Sequence, residues 1–295
     1  VKVGGGNVMS ELSDYDRSYQ HEATVISTER ITPDDVPEVR SIMLRIDQPD
    51  FTYLEGQHVG VIVPGPHEFG HETHFRLYTI ANSPVHSHGD STEIELCVRR
   101  CFYIDEFSGE EYPGIASNYL CDLNVGDNIV LSGPYGSAFN LPTDPDTNLL
   151  MIGSGTGIAP FRAFMQYIYE HQQDWKGQIV LFYGARTGME TLYRNDLKND
   201  LDKYYDQKTF RAFEGLSKRP WMQTDDGLHN VLEENAVDIW ELMQDPKTHV
   251  YLAGLENTKD NFEKVMQEAA GSNARWRWML EEMKEQERWS ELIYS

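Results

Sequence analysis

The sequence predicts an antiparallel β-barrel followed by a doubly wound α/β domain. Three observations carry this. Up to about Ser132, short β-rich runs alternate with turn residues. Beyond a Pro142-Thr143-Asp144-Pro145-Asp146 linker, apolar strands alternate with helical stretches. The first of those strands runs into the glycine-rich turn Gly153-Ser154-Gly155-Thr156-Gly157. Short strands separated by turn signals point to a barrel, and strand–helix alternation points to a parallel sheet with helices on both faces. At 295 residues the chain has the length for two such units, because single cores stop growing near ~250–300 residues.

Residues 1–22 are polar and irregular and read as a flexible N-terminal segment. Its opening, Val1 to Gly6, lacks the apolar stretch of a secretory signal. The barrel is placed at 23–145, with strands at Ala23–Ser27, Arg40–Ile46, His58–Val63, Thr92–Val98 and Asn128–Leu131, closed by Gly133-Pro134-Tyr135-Gly136. The second domain, 146–295, starts with the buried strand Asn148–Gly153 and a helix from Ala159 to about His171. A strand over Gln178–Gly184, helix-compatible sequence from Gly188 to Tyr204, a helix over Leu228–Met243 and the strand His249–Gly254 follow. The last forty residues read as helical.

Bulk properties exclude some functions. No run of about 18 apolar residues exists, so no helical membrane span is expected. A net charge of −23 would repel nucleic-acid phosphates and otherwise serves solubility. Cys97, Cys101 and Cys121 form an odd set without metal-ligand spacing, which fits a reduced, cytoplasmic protein. They are too few for a four-cysteine iron–sulfur cluster. His67, His71 and His74, with His86 and His88 beyond, lie among prolines and glycines. His71-Glu72-Thr73-His74 is one residue short of a helical zinc motif, so the stretch reads as a solvated loop and no metal is expected.

Three segments carry the chemistry. Arg76-Leu77-Tyr78-Thr79 offers a cation for phosphate, a flat aromatic face and a hydroxyl. Gly114-Ile115-Ala116-Ser117-Asn118-Tyr119-Leu120 offers a small-residue turn, a hydroxyl and backbone N–H groups where a helix begins. The Gly153–Gly157 turn follows an apolar strand and opens a helix, which again sets backbone donors against an anion. Singly these read as an alternating strand, a helix cap and a weak GxGxG. In this order they point to two nucleotide cofactors lying end to end.

The same blocks resemble the plant-type ferredoxin–NADP(+) reductase family. The similarity rests on Arg76-Leu77-Tyr78-Thr79-Ile80-Ala81-Asn82-Ser83, Cys97-Val98-Arg99-Arg100, Ser117-Asn118-Tyr119-Leu120, Gly133-Pro134-Tyr135-Gly136 and Gly153-Ser154-Gly155-Thr156-Gly157-Ile158-Ala159-Pro160. Val250 to Glu256 and the near-terminal Tyr294 continue it. It implies an FAD domain and an NADP(H) domain. Hydride would pass between NADPH and flavin N5, coupled to one-electron exchange with a ferredoxin or flavodoxin-like carrier.

By resemblance, Tyr78, Thr79 and Tyr294 are the catalytic set: Tyr78 faces the flavin ring, Thr79 bonds its N5 edge, and Tyr294 stacks where nicotinamide must enter. Arg76, Leu77, Cys97, Val98 and Arg99 would complete the flavin site, with Gly114, Ile115, Ala116, Ser117 and Asn118 at its pyrophosphate. Tyr103 matches the aromatic that stacks on adenine, which favours FAD over FMN; its plain alternative is a strand tyrosine. Thr156, Gly157, Ala185, Arg186, Gly254, Leu255 and Glu256 would bind the pyridine nucleotide. Leu216-Ser217-Lys218-Arg219-Pro220 supplies a 2′-phosphate pocket through Ser217 and Arg219 (or Lys218), while nearby Glu214 would favour NADH. Two departures stand out. Ala253 replaces the family's cysteine, and Leu292 stands where a glutamate is expected, with Glu291 three residues before Tyr294. Two other readings stay open: an NADH-dependent reductase component of an oxygenase system, and a non-catalytic nucleotide-binding sensor, at which Ala253 hints.

Overall fold

The fold is a computed structural model that describes residues 2–4, 12–67, 72–84, 90–104, 109–136, 139–172, 174–220 and 227–294. His71, His86 and His88 lie outside these; His67 Nε2 donates to the Val63 carbonyl at 3.1 Å.

The first half is a six-stranded antiparallel sheet. Its strands are β2 (Gln20–Arg30), β3 (Val39–Ile46), β4 (His58–Pro64), β5 (Thr73–Thr79), β6 (Thr92–Arg99) and β9 (Asn128–Tyr135), in the order β5-β4-β9-β2-β3-β6. An antiparallel bridge between Ile80 and Leu96 joins the end of β5 to β6 and closes the sheet into a barrel. Alternation drives this: Val25, Leu44, Val59, Leu96, Val98 and Leu131 point inward, and each is fully buried. A two-stranded ribbon of β7 (Phe102–Ile104) and β8 (Glu111–Pro113) projects from the barrel, and α1 (Ile115–Cys121) caps it.

The second half is a parallel sheet of β10 (Asn148–Ser154), β11 (Ile179–Ala185), β12 (Phe210–Leu216), β13 (Thr248–Leu255) and β14 (Trp289–Tyr294), ordered β14-β13-β10-β11-β12. Every residue of β10 and β11 is buried, as expected for strands covered on both faces. Helices α3 (Leu228–Glu234), α4 (Ala236–Met243), α5 (Glu256–Ala269) and α6 (Asn273–Glu285) pack on one face around Phe262, Trp276 and Met283. The other face holds α2 (Ile158–Glu170) and the barrel. Among the described residues, no helix is long and apolar enough to cross a membrane.

The structure corrects several expectations. The N-terminal segment is not uniformly irregular: β1 (Lys2–Gly4) adds antiparallel to the edge of β14, and β2 already starts at Gln20. Gly188–Tyr204 is not a helix but two short 3-10 turns, at Gly188–Glu190 and Asp202–Tyr204. Between them Tyr193 takes φ 61°, and the Asn195 side-chain Oδ1 accepts from the N–H groups of Leu197 (3.0 Å) and Lys198 (3.1 Å). Those local bonds replace helical ones. The Leu228–Met243 helix breaks in two at Asn235, whose Nδ2 donates to the Val231 carbonyl at 2.8 Å. The chain's end is a strand: Glu287, at φ 56°, reverses it after α6, and β14 then lies parallel beside β13.

The two halves share a packed boundary. Phe139 stacks on Phe161, their centroids 5.9 Å apart, and meets Tyr251 edge-on at 5.3 Å. Asn195 Nδ2 donates to the Ile31 carbonyl (2.9 Å), and the Ser83 N–H donates to Gln166 Oε1 (3.0 Å).

Candidate active site

Two cavities meet at this boundary. The larger, about 480 Å³, lies against the barrel and is lined by segments of β5, β6, the ribbon and α1. The smaller, about 370 Å³, lies at the C-terminal ends of β10 and β11. Arg99, Thr156, Leu255 and Tyr294 line both, so the cavities run end to end.

On β6, strand parity decides which side chains reach the larger cavity. Cys97 and Arg99 line it, while Val98 between them is fully buried in the barrel core and can present only its backbone. Burial pushes the Cys97 thiol up to about 12, so it is a neutral wall rather than a nucleophile. On β5, Arg76, Leu77, Tyr78 and Thr79 all contribute. Tyr103 also lines it, half exposed and stacked on Tyr112 with centroids 5.6 Å apart and planes at 21°.

Gly114, Ile115, Ala116 and Ser117 bring the start of α1 to the same cavity. No side chain caps that helix, so its first N–H groups are available to an anion. Asn118 is not among the lining residues. Its amide donates to the Cys101 and Gly114 carbonyls, each at 2.9 Å, and its oxygen accepts from Arg100 at 2.9 Å. It braces the loop and does not line the cavity.

In the smaller cavity the glycine turn contributes Gly155 and Thr156. Gly157 stands behind them, where a Cβ would lie 2.2 Å from the Ala253 carbonyl oxygen; only glycine lets the turn settle on β13. Gly254, at φ 150°, plays the same part, since a Cβ there would meet Thr258 Oγ1 at 2.6 Å. Ala185 and Arg186 line the cavity, with Arg186 held by Glu190 at 2.8 Å. Leu255 lines it too, but Glu256 is exposed at the start of α5 and does not. Asn257 was not singled out from the sequence, yet it lines the cavity and its Oδ1 is buried without a partner among the described residues. Ser217 and Arg219 follow β12: the Ser217 N–H donates to the Ala185 carbonyl (3.2 Å), and Ser217 Oγ accepts from the Arg219 N–H (2.9 Å). They sit beside the cavity, not in its wall. Glu214 is ion-paired with Arg194.

Tyr294 closes the junction. Its hydroxyl is hydrogen-bonded to Thr79, and burial pushes its pKa up. Thr79 Oγ1 in turn lies 3.0 Å from His58 Nδ1. Parity along β14 decides the carboxylate question: Leu292 and Tyr294 pack with the boundary core, whereas Glu291 points the other way, to Lys259 at 2.8 Å and Trp289 Nε1 at 2.6 Å. Leu292 pairs in register with Ala253, so an apolar patch stands where the thiol and carboxylate were expected.

Known domains and relatives fit this geometry. Residues 22–139 match the oxidoreductase FAD-binding domain and residues 151–264 the oxidoreductase NAD-binding domain. The chain is 35% identical over 259 residues to a ferredoxin–NADP reductase of Spirulina sp., covering 85% of this chain and 87% of that one. It is 32% identical over 271 residues to the chloroplastic ferredoxin–NADP reductase of Spinacia oleracea, covering 90% and 73%.

The chain belongs to the ferredoxin–NADP reductase family.

It spans less of some members than of others: against the Synechocystis sp. ferredoxin–NADP reductase, 35% identical, it covers 62% of that protein's length. The fold likeness extends to the ferredoxin–NADP+ reductase of Plasmodium falciparum, with a TM-score of 0.70 at 20% identity over 95% of this chain and 98% of that one. The same Plasmodium enzyme with 2′P-AMP aligns at a TM-score of 0.67 and 20% identity, over 86% and 94%. Family membership makes this chain an oxidoreductase with an FAD-binding and an NAD-binding domain.

Proposed function

We propose that this protein exchanges a hydride between NADPH and a bound FAD and trades single electrons with a small carrier protein. One observation carries the reading: the two cavities meet end to end, sharing Arg99, Thr156, Leu255 and Tyr294, with Thr79 beside Tyr294 in the larger. The chemistry FAD supplies when bound is hydride acceptance at N5 and release of electrons one at a time.

The residues fit both groups. Arg76 and the open N-terminus of α1 would hold a pyrophosphate, Tyr78 would back the flavin ring, and the Tyr103 face would carry adenine. The Gly155–Thr156 turn and the unpartnered Asn257 Oδ1 would receive the pyridine nucleotide. Ser217, Lys218 and Arg219 would take its 2′-phosphate, and with Glu214 already neutralised by Arg194 this favours NADPH over NADH. Tyr294 orients the nicotinamide by yielding its place at the junction. Ala253 and Leu292 beside it are apolar and supply no proton, so in this reading catalysis rests on positioning. The flavin unit would span 23–145 and the nucleotide unit 146–295, bounds supported by the domain matches over 22–139 and 151–264. The carrier is a ferredoxin or a flavodoxin, and three unpaired thiols fit a cytoplasmic setting.

Anaerobic titration of the FAD-loaded protein with NADPH, then NADH, tests this. Rapid bleaching of the oxidised flavin band by NADPH with slow bleaching by NADH is the expected result. Preference for NADH would move the protein to the oxygenase-type reductases, and bleaching by neither would leave a nucleotide-binding sensor.

A further inference from the structure

We propose that His58 is a positioning residue, whose Nδ1–H fixes the Thr79 hydroxyl so that the hydroxyl proton points into the larger cavity. The functional half of this rests on reading that cavity as the flavin site. His58 on β4 pairs in register with Thr79 on β5, and its Nδ1 lies 3.0 Å from Thr79 Oγ1. The imidazole is fully buried, and its Nε2 has no partner among the described residues. Burial also depresses its pKa, to about 4, so the ring is neutral at physiological pH.

A neutral imidazole carries one proton, and the two placements differ in cost. With the proton on Nε2, a buried N–H donor is orphaned. With it on Nδ1, the donor is satisfied by Thr79 and only an acceptor lone pair is left bare, the rarer offence being avoided. Thr79 Oγ1 then accepts from His58, and its own proton must point elsewhere. In this structure that direction is taken by the Tyr294 hydroxyl. An oxidised flavin presents N5 as an acceptor, so a hydroxyl held as a donor is complementary to the hydride-accepting form. A freely rotating hydroxyl would spend part of its time turned away.

The test begins without flavin. In ¹⁵N-histidine-labelled apoprotein, long-range ¹H–¹⁵N correlation identifies the tautomer of His58, assigned by its loss in His58→Leu. A neutral ring protonated on Nδ1 is expected, with its signal shifted when Thr79→Val removes the acceptor. An Nε2–H tautomer, a charged ring or indifference to Thr79→Val would overturn the proposal. The second arm measures hydride transfer in FAD-loaded His58→Leu, Thr79→Val and the double variant. Each single change is expected to slow the step about tenfold and the double no more than the slower single, the signature of residues acting through one another. Multiplicative losses would mean that His58 acts independently. Should His58→Leu fail to fold, His58→Asn keeps a donor near the Nδ1 position and is expected to stay near the wild-type rate; a tenfold loss there overturns the idea. A wild-type protein that takes up no FAD would sink the flavin reading, while the tautomer result would still decide the hydrogen bond.

Discussion

Arg162 on α2 and Glu95 on β6 form an ion pair of 2.8 Å across the domain boundary, with only 6% and 1% of their side chains exposed. Arg162 also grips Asp200 at 2.6 Å and the Ala81 carbonyl at 2.7 Å, and it lies over the Tyr193 ring at 4.5 Å. Tyr193 donates to Glu95 at 3.0 Å, and Ser41 adds a further hydrogen bond to the same oxygen. Removing one partner strands a buried charge, at a typical cost of ~3–5 kcal/mol. Arg162→Met should therefore lower the urea midpoint sharply, and Glu95→Gln/Arg162→Met should recover part of the loss. Burial works to raise the Glu95 pKa but is outweighed by Arg162 and Lys198, so the folded value is depressed below 4.5. Its stabilisation is present above the unfolded pKa and is lost as pH falls through the folded value. Unfolding curves from neutral to strongly acidic pH should show that loss in wild type and not in Glu95→Gln.

Glu291 should matter for stability and not for hydride transfer. Its carboxylate faces Lys259 and Trp289 on the helical side of the sheet. Burial is again outweighed, by hydrogen bonds from both and by charge, so its folded pKa too is lowered and its contribution fades on acidification. Glu291→Gln should lose about 1–2 kcal/mol while the stopped-flow reduction rate changes less than about twofold. A large rate loss with stability intact would place the carboxylate in the reaction.

Tyr294 separates two effects. Tyr294→Phe loses only the bond to Thr79 and should leave nucleotide affinity within a few-fold of wild type. Tyr294→Ser vacates the junction and should tighten NADP+ about tenfold or more, slowing turnover through product release. Equilibrium difference spectra and steady-state rates check both.

Arg219→Ala should raise the KM for NADPH by roughly tenfold to a hundredfold, the worth of a charge-assisted hydrogen bond, and leave NADH kinetics alone. An equal effect on both would assign Arg219 to something other than the 2′-phosphate.

Gly157→Ala places a methyl group 2.2 Å from the Ala253 carbonyl. The glycine turn must lift off β13, costing ~1–3 kcal/mol and weakening nucleotide binding. Calorimetric Tm and binding titration should both fall.

The barrel and the parallel sheet were legible because alternation and buried apolar runs are local signals. The Gly188–Tyr204 segment was not, since its composition suits a helix and only the side-chain bonds of Asn195 and the packing of Tyr193 against the barrel overrule it. The terminal strand was misread because Trp289–Tyr294 finds its reason in a neighbour, β13, nearly forty residues earlier. Within the site, the residues lining both cavities came from motifs. Asn257 and His58 carry no motif: their interest is an unpartnered polar atom, which exists only once burial is known. Val98 and Asn118 belong to the same motifs without lining the cavity, because a motif marks a stretch of chain while burial and helix bracing decide which side chains face the cavity.

The ladder between β14 and β13 extends to its last pair, Tyr294 opposite Leu255. In the proposed role Tyr294 is therefore a ring hinged on a fixed post, not a loose flap of chain. Its opening would be a change of rotamer that breaks the contact with Thr79 and needs no peeling of the sheet. Engineering that opening is thus a matter of choosing one side chain, with the strand beneath it left alone.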